Sequence, residues 1–203
     1  MKQTLKIDPR LHIGKLSELF DKPKIIRVRE FTEDSLEDFE KDMADAHSTG
    51  QPVIPIVIDS FGGQVYSLLG MLSAIENAKV PVATICTTKA MSCGAILFCW
   101  GDQDHRYMDP NASIMIHDVS NFSWGKVEEI KSSAKQTDKL NKQVFTRMAK
   151  RIGHPPNFIL EMLDAKKHAE WYLSAREAKK HNIANELRIP EFNVQIKVEM
   201  EFG

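Results

Sequence analysis

The 203-residue chain is short of several things, and each shortage removes a class of protein. Cysteine occurs three times, at Cys86, Cys93 and Cys99, always within apolar sequence. Three thiols cannot all pair, so a disulfide-stapled scaffold is excluded and buried, reduced thiols in the cytoplasm are expected. Charge of one sign is missing too. With 27 Lys+Arg against 28 Asp+Glu, a formal charge of −1 gives no electrostatic footprint for nucleic acid or an anionic membrane. No apolar run approaches the ~20 residues that span a bilayer. Residues 1–20 interleave charges with apolar residues and lack the unbroken apolar stretch of a secretory signal. Internal repeats, low-complexity tracts and Gly/Ser/Pro-rich linkers are absent. His154, His168 and His181 lie far apart in charged sequence, without metal-ligand spacing, and read as solvated surface. Asp102, Asp104 and Asp109 lack the Gly and Glu positions of a calcium loop. No metal or other cofactor is expected.

What remains is a soluble globular chain, 42% apolar and 27% charged, long enough to bury a core without staples. Residues 25–28 form a candidate strand. Residues 32–47 read as a helix, with Leu36, Phe39, Met43 and Ala46 at spacings of three and four and Thr32 as N-cap. Residues 53–58 make an apolar strand covered on both faces, with Pro55 as a blemish because it cannot donate to a ladder. After the turn Asp59-Ser60-Phe61-Gly62-Gly63, Val65, Leu68, Leu69, Leu72 and Ile75 define a helical stripe. A second apolar strand follows over 80–86, a short apolar helix over 93–100 and a third strand over 113–116. A long helix is expected over 126–151, stopped by Gly153 and Pro155-Pro156. Strands alternating with helices argue an α/β fold with a parallel sheet. The division expected is an arm over 1–24, a body over 25–190 and an extension over 191–203, where residues 194–202 alternate like a half-exposed strand.

Three features fall at strand ends or in the turns after them, where α/β folds put their sites. Gly62-Gly63 follows an apolar strand and could aim backbone N–H groups at a ligand, or could be a plain βα turn. Ser92 opens a helix among small residues. It is either a helix N-cap or a nucleophile whose oxyanion product would meet backbone amides and the positive end of the helix dipole. That follows the logic of the nucleophile elbow, although Gly-x-Ser-x-Gly is absent. His117 ends an apolar strand, as a rigidly held base would, or as a satisfied histidine at a sheet edge. Each alone has a structural explanation, and the combination is what carries weight.

In combination the sequence resembles the ClpP-type serine peptidases, whose subunits have a crotonase-like α/β fold, a spiral of ββα units with a long protruding helix. Asp59-Ser60-Phe61-Gly62-Gly63 is similar to the family's Asn-Ser-Pro-Gly-Gly turn, and Ala90-Met91-Ser92-Cys93-Gly94-Ala95 to its Ala-Ala-Ser-Met-Gly nucleophile segment. Pro110-Asn111-Ala112 with Met115-Ile116-His117 matches its Pro-Asn-Ala and Met-Ile-His segments, and Tyr172-Leu173-Ser174-Ala175 its aromatic-Leu-Ser-Ala segment. The intervals agree: 29 residues from Gly63 to Ser92 and 25 from Ser92 to His117.

The resemblance implies Ser92 as nucleophile, His117 as general base, and the amides of Gly63 and Cys93 as oxyanion hole, with Gly62, Phe122 and Trp124 lining the substrate cleft. It further implies a peptide or unfolded-protein substrate, a homo-oligomeric heptameric ring or double ring with the long helix at a subunit contact, and an ATP-driven (AAA+) unfoldase as a possible partner. The third catalytic position departs from the family. Glu170 stands where the family has Asp, with Asp164 as competitor and Asp118 disfavoured because strand neighbours point to opposite faces. The interval from His117 to Glu170 is longer than the family's, which points to an insertion within 150–167. Ala169 replaces a basic residue that the family uses where two rings join. Cys93 reads as an inert packing thiol. Two alternatives stand beside this reading: a catalytically inactive structural ClpP-like subunit, and a crotonase-type acyl-CoA enzyme.

Overall fold

In the computed structural model, residues 23–119 and 124–191 are described. Most of the 1–24 arm, Phe122 and the 194–202 strand lie outside them. The described chain is mixed α/β. Its sheet runs β1 (Ile26–Val28), β2 (Ile54–Ser60), β3 (Val82–Met91), β5 (Ser113–Ile116), β6 (Trp171–Ser174), with β4 (Arg106–Met108) paired to β3 beside this path. Every pairing is parallel except β5 with β6. Parallel neighbours need crossovers. α1 (Glu33–Ser48) joins β1 to β2, and α2 (Val65–Glu76) joins β2 to β3.

α1 starts at the expected Thr32 cap: Thr32 and Ser35 cap each other's backbone amides reciprocally, and Phe39, Met43 and Ala46 are buried. Pro55 sits within β2 opposite Ala83 and is tolerated there. The strand expected over 80–86 is longer than its apolar run, because β3 continues through the polar Thr87-Thr88-Lys89 to Met91. Its first half pairs β4 at Thr84 to Cys86 and its second half pairs β5 at Lys89 to Met91. Between these halves the register against β2 shifts, from Ile58↔Cys86 to Ser60↔Ala90. α3 (Cys93–Phe98) is apolar all round and wholly buried, as a helix without a polar face must be.

α4 (Val127–Arg151) has the expected length, yet only Leu140, Val144, Phe145, Met148 and Ala149 are buried. Val127 and Ile130, on its first turns, are 66% and 42% exposed, so this half of the helix stands clear of the chain's own core. α5 (Phe158–Ala165) and α6 (Ala175–Lys180) complete the body. The histidines assigned to solvated surface divide. His154 stacks on Phe158 at 3.8 Å and His181 packs edge-on against Trp171 at 5.4 Å, so both belong to a half-buried aromatic cluster. Burial lowers the His181 pKa below the ordinary imidazole range. Only His168 is exposed, and it is not idle, as shown below.

β4 is closed against the segment after α6 by Arg106, 1% exposed. Its guanidinium donates to the carbonyls of Ile183 (2.9 Å), Gly101 (3.2 Å) and Asn182 (3.0 Å). Arg106→Met keeps the stem but strands three acceptors. At ~1–3 kcal/mol for each buried group left unsatisfied, a loss of roughly 3 kcal/mol or more is expected. Urea unfolding measures it, and an unchanged midpoint would refute the assignment of this role.

Candidate active site

The sheet brings its chemistry to the C-terminal ends of β2, β3 and β5. Ser92 follows β3 directly and enters α3 with φ 53° and ψ −120°, a conformation that costs a non-glycine residue energy. Its amide donates to Met115 O at 2.8 Å, which fastens the turn to the strand carrying the histidine. Its hydroxyl makes no N-cap bond, so the capping explanation for this serine fails. Instead Ser92 Oγ lies 2.8 Å from His117 Nε2, within reach for proton transfer.

The glycine turn closes on this pair. A Cβ on Gly62 (φ 109°) would sit 2.8 Å from Ser92 Cβ, and one on Gly63 (φ 152°) 2.6 Å from Phe31 O. Both positions therefore need glycine, one for approach to Ser92 and one for approach to the backbone behind the turn. Gly62 N–H is taken by Ser60 Oγ at 3.0 Å. The amides of Gly63 and Cys93 have no hydrogen-bond acceptor among the described residues. Two amide donors thus flank Ser92 unspent. Phe61, in place of a turn proline, is 77% exposed with the Lys89 ammonium 4.5 Å above its ring. Lys89 and Thr88 also donate to Asp59, which holds that carboxyl below its usual range.

Glu170 precedes β6. The antiparallel register ends at Ile116↔Trp171, and one further step sets Glu170 opposite His117. Directly opposed residues share a face of the ladder. No hydrogen bond joins Glu170 to His117 among the described residues. Tyr172, two residues on, has its pKa raised by the neighbouring Glu170 carboxylate. The two other carboxylates are directed elsewhere. Asp118 Oδ2 accepts from His168 Nδ1 at 2.6 Å, and Asp164 Oδ1 lies 3.6 Å from His168 Nε2.

A cleft of about 700 Å³ opens between the start of α2 and the first half of α4, with Gln64, next after Gly63, and Val119, two residues past His117, on its rim. Gln64, Tyr66, Val119, Gln136 and Leu140 are among its walls. Of the residues expected to line a substrate cleft, Gly62 backs Ser92 and Trp124 is 91% exposed; neither is among the walls of this cavity. The wall residues on α4 carry no local sequence signature, since a helix face turns toward a site only through tertiary packing.

The family model described as Clp protease matches residues 12–189. Two curated relatives, both named ATP-dependent Clp protease proteolytic subunit and from two strains of Bacteroides fragilis, are each 30% identical over 136 residues. These alignments take in 67% of this chain, and 64% and 60% of the relatives' lengths. The chain therefore spans less than two thirds of the curated relatives it matches. It belongs to the Clp protease family.

The cysteines offer no rival nucleophile. Burial pushes Cys86 and Cys99 up to about 12, and it raises Cys93 as well. Cys93 Sγ donates to Gly63 O at 3.3 Å, behind the turn. A raised thiol pKa keeps the group protonated, and at pH 8 a pKa near 12 leaves roughly one part in 10⁴ as thiolate. Iodoacetamide at pH 8 should leave all three thiols of the folded protein unmodified and alkylate all three in urea, as read by intact mass. Rapid alkylation of Cys93 in the folded protein would reopen it as a reactive group.

Proposed function

We propose that this member of the Clp protease family is a serine endopeptidase working through an acyl-enzyme, with Ser92 as nucleophile, His117 as general base and acid, and Glu170 as the orienting carboxylate. The observation that carries the reading is the 2.8 Å contact between Ser92 Oγ and His117 Nε2, on a strained turn flanked by two unspent amides. A serine hydroxyl is too weakly acidic to attack an amide unaided. His117 Nε2 takes the Ser92 proton as Oγ bonds to the substrate carbonyl carbon. The carbonyl oxygen becomes an oxyanion facing the amides of Gly63 and Cys93, where a preorganised donor is worth ~2.7–4 kcal/mol. Collapse breaks the C–N bond, and His117 passes its proton to the leaving amine. Water then attacks the ester, gives its proton to His117 and releases the acid, and Ser92 recovers its proton. Through this cycle Glu170, opposed to His117 by register, favours the imidazolium and holds the ring's tautomer.

The cleft between α2 and α4 is the place for side chains of the peptide, and its mixed polar and apolar walls suit an extended segment. In this reading the chain assembles as a ring of its own copies, the exposed start of α4 serves a subunit contact, and an ATP-driven unfoldase could supply unfolded substrate. The buried thiols suit a reducing, cytoplasmic setting. Among the described residues no helix is long and apolar enough to cross a membrane. A crotonase-type acyl-CoA enzyme would need carboxylates at the reacting centre rather than a serine bonded to a histidine.

A fluorophosphonate probe should label the wild-type chain at Ser92 and leave Ser92→Ala unlabelled, with hydrolysis of a fluorogenic peptide lost in parallel. A folded wild-type protein that resists the probe would sink the peptidase reading. Glu170→Gln should lower peptide turnover by about 10²–10⁴, the range set by triad orientation, while Asp164→Asn stays within a few-fold of wild type. The reverse ranking would transfer the orienting role to Asp164.

A further inference from the structure

We propose that Asp118, with His168 and Asn141, forms a clamp of positioning residues that keeps the Glu170 segment against His117. The inference rests on the peptidase reading above. Asp118 is half-buried and carries a hydrogen bond on each carboxylate oxygen. His168 Nδ1 donates to Oδ2 at 2.6 Å, and Asn141 Nδ2 donates to Oδ1 at 2.7 Å. Asn141 Oδ1 in turn accepts the Val119 amide at 3.0 Å. One carboxylate thereby joins the end of β5, the middle of α4 and the loop between α5 and β6.

The place of the clamp gives it its effect. Asp118 follows His117 in the chain, and His168 precedes Glu170 by two residues. The β5–β6 ladder ends at Ile116↔Trp171, so backbone pairing stops one step short of His117 and Glu170. The first cross-link beyond that step is Asp118 to His168. The loop it holds is strained: Lys167 (φ 56°) and His168 (φ 58°) are consecutive non-glycine residues in the left-handed region. Such backbone persists where its surroundings hold it. Here local backbone bonds hold the turn, from Lys167 N to Asp164 O (2.7 Å), His168 N to Leu163 O (2.9 Å) and Ala169 N to Lys166 O (3.1 Å), with Asp164 Oδ1 3.6 Å from His168 Nε2. The Asp118 carboxylate is the tie that reaches across to the β5 side. Without the side-chain tie, the loop is free to relax and Glu170 to withdraw from His117, and misplacement of about 1 Å costs up to ~10²-fold in rate.

The test uses the full chain, a fluorogenic peptide and the fluorophosphonate probe. His168→Gly removes the imidazole while accepting the positive φ, so it keeps the fold independent of strain. His168→Asn retains a side-chain N–H donor and tolerates the left-handed region. His168→Gly and Asp118→Ala should each lower kcat and the labelling rate about tenfold with KM within about twofold, and His168→Asn should recover most of the rate. In a Glu170→Gln background, His168→Gly should add less than about twofold, because the group being positioned is gone. Full activity of His168→Gly, a change confined to KM, or an undiminished loss in the Glu170→Gln background would each overturn the clamp. If Asp118→Ala does not fold, His168→Gly decides alone. A wild type that resists the probe fails at the earlier step, and overturns the peptidase reading and the clamp together.

Discussion

The site depends on the single hydrogen bond from Ser92 N to Met115 O, 2.8 Å long, at the top of the β3–β5 pair. It extends the ladder one residue past Met91 and lands on the strand that delivers His117 two residues later. Ser92 is thus paired to β5 through its backbone while its side chain meets β5's histidine. A serine merely capping α3 would have spent its hydroxyl on an amide of the first turn. Because the backbone is held by the sheet, the hydroxyl is left for His117 and the Cys93 amide is left unspent.

That arrangement has a conformational cost, and the surrounding structure explains how it persists. Ser92 at φ 53° sits between ten residues of strand and a helix buried along its whole length. Neither neighbour can move to relieve it without exposing the core that Cys93, Ala95, Leu97 and Phe98 help to form. Gly62 completes the constraint, since a side chain there would collide with Ser92 itself. Residue types that sequence inspection reads as turn punctuation are therefore fixed by packing against the serine.

The parts of this fold readable from sequence are those whose signal is local. Thr32, the stripe of α2, the apolar run of β2 and the Gly153 stop of α4 each act over a few residues, and each marks its element. The family motifs point to Ser92, His117 and the two glycines, and the fold does bring Ser92 Oγ within 2.8 Å of His117 Nε2 with Gly62 packed on Ser92. β4 has no apolar pattern, since Arg-Tyr-Met carries a charged and fully buried arginine; the carbonyls of Gly101, Asn182 and Ile183, two of them distant in sequence, make that arginine a core residue. The second half of β3 is obscured for a similar reason, since its polar Thr88 and Lys89 are there to bind Asp59 near the end of β2. β6 and α6 did have a local sign, the reciprocal Ser174–Glu177 cap, in a segment read only for its family likeness.

The carboxylates show the limit most clearly. Sequence offers Asp118, Asp164 and Glu170 for one histidine, and nothing local ranks them beyond strand parity. The structure contains a second histidine that changes the choice. His168, exposed as its charged surroundings predict, takes Asp118 as a hydrogen-bond partner and has Asp164 nearby, one on each ring nitrogen. Parity explains the sorting. His117 and Asp118 are adjacent on an extended segment and so face opposite ways. The carboxylate adjacent in sequence is turned toward Asn141 of α4 and His168 of the α5–β6 loop. The distant one lies one step beyond an antiparallel ladder whose register is fixed by four pairs, and continuing that register sets it on the histidine's side. Proximity along the chain and proximity in the site are therefore opposed here. Glu170, with its extra methylene, is the carboxylate that register sets opposite His117.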